Sequence, residues 1–243
     1  MIRPNFYCSL ALASCVTLIL SGPVWAQELT VNLGDETSLT ARSLQLIALI
    51  TVLSLAPGLA IMITCFPFVV TVLSILRQAI GLQQSPPNML IVSLALFLTY
   101  FVMSPVFEAA YSAGIAPLLE GQLSTSEAIG AAYLPFETFM LNRVNPATLQ
   151  SLSDLRGAPE SASAEASILI PSFMLSEVER AFQIGFLIFL PFLIIDLVVA
   201  AILMSMGMMM VPPAIVSMPF KLAFFVVADG WTLVTSALVR SYF

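Results

Sequence analysis

Between Ser43 and Leu76 the sequence contains no charged residue. As one straight helix that stretch would measure on the order of 50 Å, against a hydrocarbon core of about 30 Å. Pro57-Gly58 and Pro67 interrupt it. The expectation is a first spanning helix near 44–66, kinked at Pro57, and a second helical piece to about residue 80. Gly81 then ends the helix, and Gln83 to Asn88, with Pro86-Pro87, forms a polar turn. Three more apolar segments follow: Met89–Phe107, about 181–206 and about 212–235. The chain is 59% hydrophobic and 9% charged, with a mean hydropathy of +1.01. A soluble domain of this length could not hide so much apolar surface, which places the chain in the integral membrane class. The expected fold is all-α, with four membrane-type segments in two kinked helical hairpins, 44–107 and 181–243.

Composition also removes several functions. There is no histidine, which excludes imidazole acid–base chemistry and most zinc sites. Net charge is −6, Lys221 is the sole lysine, and no basic patch exists for nucleic acid. Two acids in apolar surroundings raise the question of an intramembrane aspartyl protease, but Tyr-Asp and Gly-x-Gly-Asp motifs are both absent. No catalytic residue, cofactor or metal is expected.

The first 26 residues read as a secretory signal. Arg3 supplies a positive n-region, Cys8 to Leu20 an apolar h-region, and Val24-Trp25-Ala26 a small-residue cleavage site. Leu12-Ala13-Ser14-Cys15 resembles a lipoprotein box, but the apolar run continues past it to Leu20. Cleavage would leave Cys65 alone and expected to serve packing. Residues 27–43 then form an extracytoplasmic segment. Four crossings put the 77–88 turn inside and the 108–180 insert outside. Arg77 in the inner turn agrees with the positive-inside rule, and long translocated domains escape that rule.

The insert carries acids in excess over Arg143, Arg156 and Arg180. Ser124 with Glu127 makes a capping box, and Asn145-Pro146 fits N-cap and N1. Leu149, Leu152 and Leu155 follow at helical spacing, and Gly157 to Ser167 is Ala/Ser-rich. From Pro171 a new helix runs into the third apolar segment.

Two features of the second hairpin carry function. Its turn, residues 204–210, is dense in methionine and closes on Pro212-Pro213. Hairpin turns ordinarily use Gly, Asn, Asp or Ser. Methionines are flexible and polarizable, and they fill irregular gaps or conform to whatever touches them. One reading is helix–helix gap filling. The other is a ring of such loops forming a deformable apolar gasket, which stops ions by dewetting yet yields to a larger polymer.

The second feature is a pair of charges inside apolar segments, Asp196 and Lys221. Each costs about 2.5–3.5 kcal/mol at the centre of a span on insertion scales. If the chain turns near Met209, they lie thirteen residues before it and twelve after it, at nearly equal depth. They are expected to form an ion pair, within one subunit or between neighbours, that locks assembly. A simple pair predicts that exchanging the two residues restores most of what either single change damages.

Several strings together resemble one family. They are Ser54-Leu55-Ala56-Pro57-Gly58, Leu76 to Asn88 (LRQAIGLQQSPPN), Leu94 to Phe107 (LALFLTYFVMSPVF), Ala181 to Val199 (AFQIGFLIFLPFLIIDLVV), the methionine loop, and Asp229-Gly230-Trp231. Nearly everything from about residue 40 onward, apart from the insert, is similar to the FliP family, core membrane proteins of the flagellar type III export apparatus. The resemblance implies a pentamer of this chain, joined by two smaller export-gate membrane proteins into a helical, cone-like gate. A larger export-gate membrane protein and the basal-body ring are further implied partners. Unfolded flagellar subunits would cross the bacterial inner membrane through it. It maps the gasket onto Met206, Met208, Met209 and Met210, and an intersubunit charge pair onto Asp196 and Lys221. It also implies that the finished gate sits largely above the bilayer plane.

Departures from the family pattern are local. Phe66-Pro67-Phe68 stands where Phe-Thr-Arg is common, and Asn142-Arg143-Val144-Asn145-Pro146 replaces a more charged stretch. The signal and long insert favour the flagellar branch over virulence injectisomes. Outside this class, a small-solute transporter would be expected to show internal repeats, and none is evident.

Overall fold

A computed structural model describes residues 39–81, 86–157, 165–208 and 210–243. The expected signal, residues 1–26, and the segment up to residue 38 lie outside the described residues, as do 82–85, 158–164 and Met209. The described helices are α1 (Leu39–Met62), α2 (Phe66–Ile80), α3 (Asn88–Ala110), α4 (Ala116–Leu119), α5 (Thr125–Arg143), α6 (Pro146–Arg156), α7 (Ala166–Ser205), α8 (Pro213–Val227) and α9 (Gly230–Arg240). A single π-helical turn, Tyr111–Ile115, joins α3 to α4. No strand occurs among the described residues, so the protein is all-α as expected.

The chain divides into two units, one ending at Ile50 and the other spanning Thr51–Phe243. In the first unit the described part is the beginning of α1, exposed from Ser43 onward. In the second unit α1 continues through Pro57 to Met62, so the interruption falls at Ile63–Cys65 rather than at the proline. There Thr64 Oγ1 donates to the Ile61 carbonyl and accepts from the Phe66 amide.

Three helical stretches are long and apolar enough to cross a membrane: Ser43–Met62, Asn88–Leu119 and Ala166–Ser205. A fourth, α8 with α9, counts only as a broken span, bent by 62°. The segment expected at 212–235 is therefore two helices with a break between them, rather than one continuous helix. Asp229 at the break has φ +48°, a left-handed conformation that ends α8 and starts α9. The helix expected to run from Pro171 into the third apolar segment is α7, which begins five residues earlier, at Ala166. Its 40 residues span roughly 60 Å, about twice a hydrocarbon core, so much of the helix must project beyond it. The boundary placed between 180 and 181 falls inside this one helix.

The short helix α2 organises the second unit. At 15 residues it is too short to span unaided, and it is enclosed by α3, α7 and α8. Phe68, Val69, Val72, Leu73, Leu76, Ala79 and Ile80 are buried at helical spacing. Between helices in lipid there is no hydrophobic transfer to gain, so close packing carries the contact. Gly185 on α7 shows how close: a Cβ there would lie 2.4 Å from Ile75 Cδ1.

The insert follows its caps. Ser124 and Glu127 make the reciprocal capping box, and Asn145 Oδ1 accepts the Ala147 amide at 3.0 Å. The Ser124 hydroxyl and amide hold the Glu127 carboxyl below its ordinary range.

Candidate functional site

The tip of the second hairpin is shaped by glycine and proline, not by methionine. After α7, the Gly207 amide donates to the Met204 carbonyl at 3.0 Å and the Met208 amide to the Leu203 carbonyl at 3.0 Å. Gly207 has φ +73°, so this is a Schellman motif with glycine at its left-handed position. Pro212 and Pro213 then open α8, where their missing donors cost nothing. Three of the methionine side chains are exposed in the single chain. Met206 is 65% exposed, Met208 39% and Met210 98%. Met206 also lines an apolar cavity between α7 and α8, with Ile202, Leu203 and Val216. Met204, placed in the loop by sequence, belongs to the last turn of α7. Met209 lies outside the described residues.

About 12–14 Å of helix below the tip (by the 1.5 Å rise per residue), Lys221 Nζ donates to Asp196 Oδ2 at 2.7 Å. The pair closes within a single chain. Lys221 is 6% exposed, whereas the Asp196 side chain is 39% exposed. Two partners escaped the sequence reading. Ser217 Oγ, on the turn of α8 before Lys221, donates to Asp196 Oδ1 at 2.6 Å. The Ala79 carbonyl of α2 accepts from Lys221 Nζ at 3.1 Å. Ser217 stands four residues before Lys221, a spacing that places both on one face. Nothing in the sequence singles out Ala79.

The other predicted turn residues occupy plain positions. Pro57 and Gly58 are interior to α1, and nothing lies within 4 Å of a Cβ added to Gly58. Pro86 and Pro87 precede α3, with Arg77 donating to the Pro86 carbonyl and to Asn88 Oδ1.

A second polar cluster was not anticipated. Glu177, placed in the soluble insert by sequence, is fully buried. Its Oε1 accepts from Arg143 Nε at 3.1 Å, with Arg180 Nη1 at 3.8 Å, and its Oε2 accepts from the Tyr242 hydroxyl. Arg143 Nη1 also donates to the Ser241 carbonyl at 2.7 Å. The cluster thus ties together the end of α5, the Ser176–Arg180 stretch of α7 and the residues after α9. Burial, and then the charge of Glu177, push the Tyr242 phenol well above its ordinary range. No group of metal-ligating side chains occurs among the described residues.

Residues 49–238 match the model of the FliP family. The chain belongs to the FliP family. Relatives named flagellar biosynthetic protein FliP include that of Caulobacter vibrioides, 52% identical over 95% of this chain and 88% of the relative. That of Aquifex aeolicus is 40% identical over 95% of this chain and 98% of the relative. That of Bacillus subtilis is 43% identical over 82% and 92% respectively. Both departures from the FliP pattern have a structural place. Pro67 sits in the first turn of α2, where proline is tolerated, and Phe68 is fully buried with its ring edge-on to Tyr242 at 5.5 Å. Arg143 is the cation that reaches Glu177.

Proposed function

We propose that this chain is a pore-forming core subunit of the flagellar type III protein export gate, acting in the bacterial inner membrane. Family membership and the apolar helices support the flagellar, membrane part of this reading. The observation that carries the pore is the exposed methionine tip on a turn that glycine and proline already build. Several copies around one axis would bring these tips together. Their side chains would form a dry, adaptable constriction that offers an ion nothing in place of its hydration shell but folds around an unfolded chain.

In this reading the Asp196–Lys221 pair holds each subunit's hairpin, and so fixes the height of its tip in the ring. The insert projects outside the cytoplasm. Two smaller export-gate membrane proteins, a larger one and the basal-body ring complete the apparatus, and unfolded flagellar proteins are its cargo. The chain performs no chemistry.

The test is conductance. With Met206, Met208 and Met210 changed to alanine, the purified gate in a planar bilayer should leak ions while keeping its native mass. Unchanged conductance in a normally assembled complex would return the methionines to a packing role.

A further inference from the structure

The helix α2 ends at Ile80, and the carbonyls of a helix's last turn have no partner inside the helix. One of them, on the fully buried Ala79, receives Lys221 Nζ at 3.1 Å. The chain then turns at Gly81, whose φ is +88° and whose added Cβ would lie 3.9 Å from Nζ. A helix carboxyl end carries partial negative charge, so an ammonium is favoured there. On its other side the ammonium is held by Asp196 Oδ2, and Asp196 is held in turn by the buried hydroxyl of Ser217 at 2.6 Å. The contacts run from Ser217 to Asp196 to Lys221 to the end of α2.

We infer that Lys221 is a helix cap as well as half of an ion pair. It registers the carboxyl end of α2 against the second hairpin, and Ser217 is a positioning residue that acts through Asp196. The polarity of the pair is thereby fixed. An aspartate at position 221 is too short to reach the Ala79 carbonyl and has no proton to give it, so that carbonyl loses its donor. A free-standing pair tolerates exchange of its members; a cap does not. The inference concerns the ion pair of the proposed gate, yet it is read in the purified chain without export or conductance, so either can fail alone.

Amide hydrogen exchange at Ile80 and Gly81, measured on the full chain in detergent, tests it. Loss of the cap in Lys221→Met should speed exchange there by about tenfold, leaving Val72 to Leu76 unchanged. Lys221→Arg, which keeps a cation, should stay near the native rate. The double variant Asp196→Lys with Lys221→Asp should exchange as fast as Lys221→Met. Native exchange in Lys221→Met, or a double variant restored to native rates, overturns the inference. If Lys221→Met does not fold, Ser217→Ala carries the test: faster exchange at Ile80 and Gly81 supports the positioning chain, and native rates refute it.

Discussion

The Tyr242 ring lies across the Arg143 guanidinium, with 3.9 Å between its central carbon and the ring centroid. The same ring stacks on Phe139 at 6.0 Å and donates its hydroxyl to Glu177. Arg143 is thus the main counter-charge of a carboxylate with no access to water. Arg143→Met should destabilise the protein by about 3–5 kcal/mol, because it leaves a buried charge with only the more distant Arg180. Adding Glu177→Gln should recover much of that loss. Denaturant unfolding in detergent, with both single variants and the double, reads the cycle.

Tyr242 also sets an alkaline limit. Its folded-state pKa is raised, so folding disfavours the phenolate. The stability it contributes is complete below the ordinary phenol range, near pH 10, and is lost progressively as pH rises above it. Absorbance titration of the tyrosines should find one that resists ionisation until the protein unfolds. Tyr242→Phe should remove that late step, and a late step persisting in Tyr242→Phe would contradict the assignment.

Two glycines near one another predict opposite outcomes. A Cβ on Gly114 would meet the Ala128 carbonyl oxygen at 2.5 Å and the Ala132 nitrogen at 2.8 Å. Backbone cannot step aside cheaply, so Gly114→Ala should cost about 1–3 kcal/mol. Gly130, exposed on α5, has nothing within 4 Å of an added Cβ. Gly130→Ala should therefore stabilise by up to about 1 kcal/mol. Thermal melts of the two variants separate the cases by sign.

The break between α8 and α9 rests on a left-handed aspartate. Asp229→Ala should cost about 1–2 kcal/mol, while Asp229→Gly should be close to neutral. Equal melting temperatures for the two would show that the bend is not fixed there.

The sequence revealed those features that depend on spacing along one helix or across one turn. Apolar runs, the Ser124–Glu127 box and the end of α2 at Gly81 are local. The approach of Asp196 to Lys221 follows from counting along a hairpin. Glu177 was illegible because its partners Arg143 and Tyr242 lie 34 and 65 residues away. Its charged neighbours Glu179 and Arg180 also make this part of the helix read as belonging to the soluble insert. Pro57 reads as a kink and Pro171 as a helix start because proline removes a donor, and both lie inside their helices. The Asp229 break left a signal, an Asp-Gly pair, that the apolar pattern on either side masked.

The central claim is that the methionine tip faces a conduit used by a passing chain. Met210→Cys, in a Cys65→Ser background and an assembled complex holding an arrested flagellar substrate, tests this most directly. A disulfide or bismaleimide crosslink should form between position 210 and the substrate, with no labelling by a maleimide confined to lipid. Labelling from the lipid phase, with no adduct to the substrate, would contradict it.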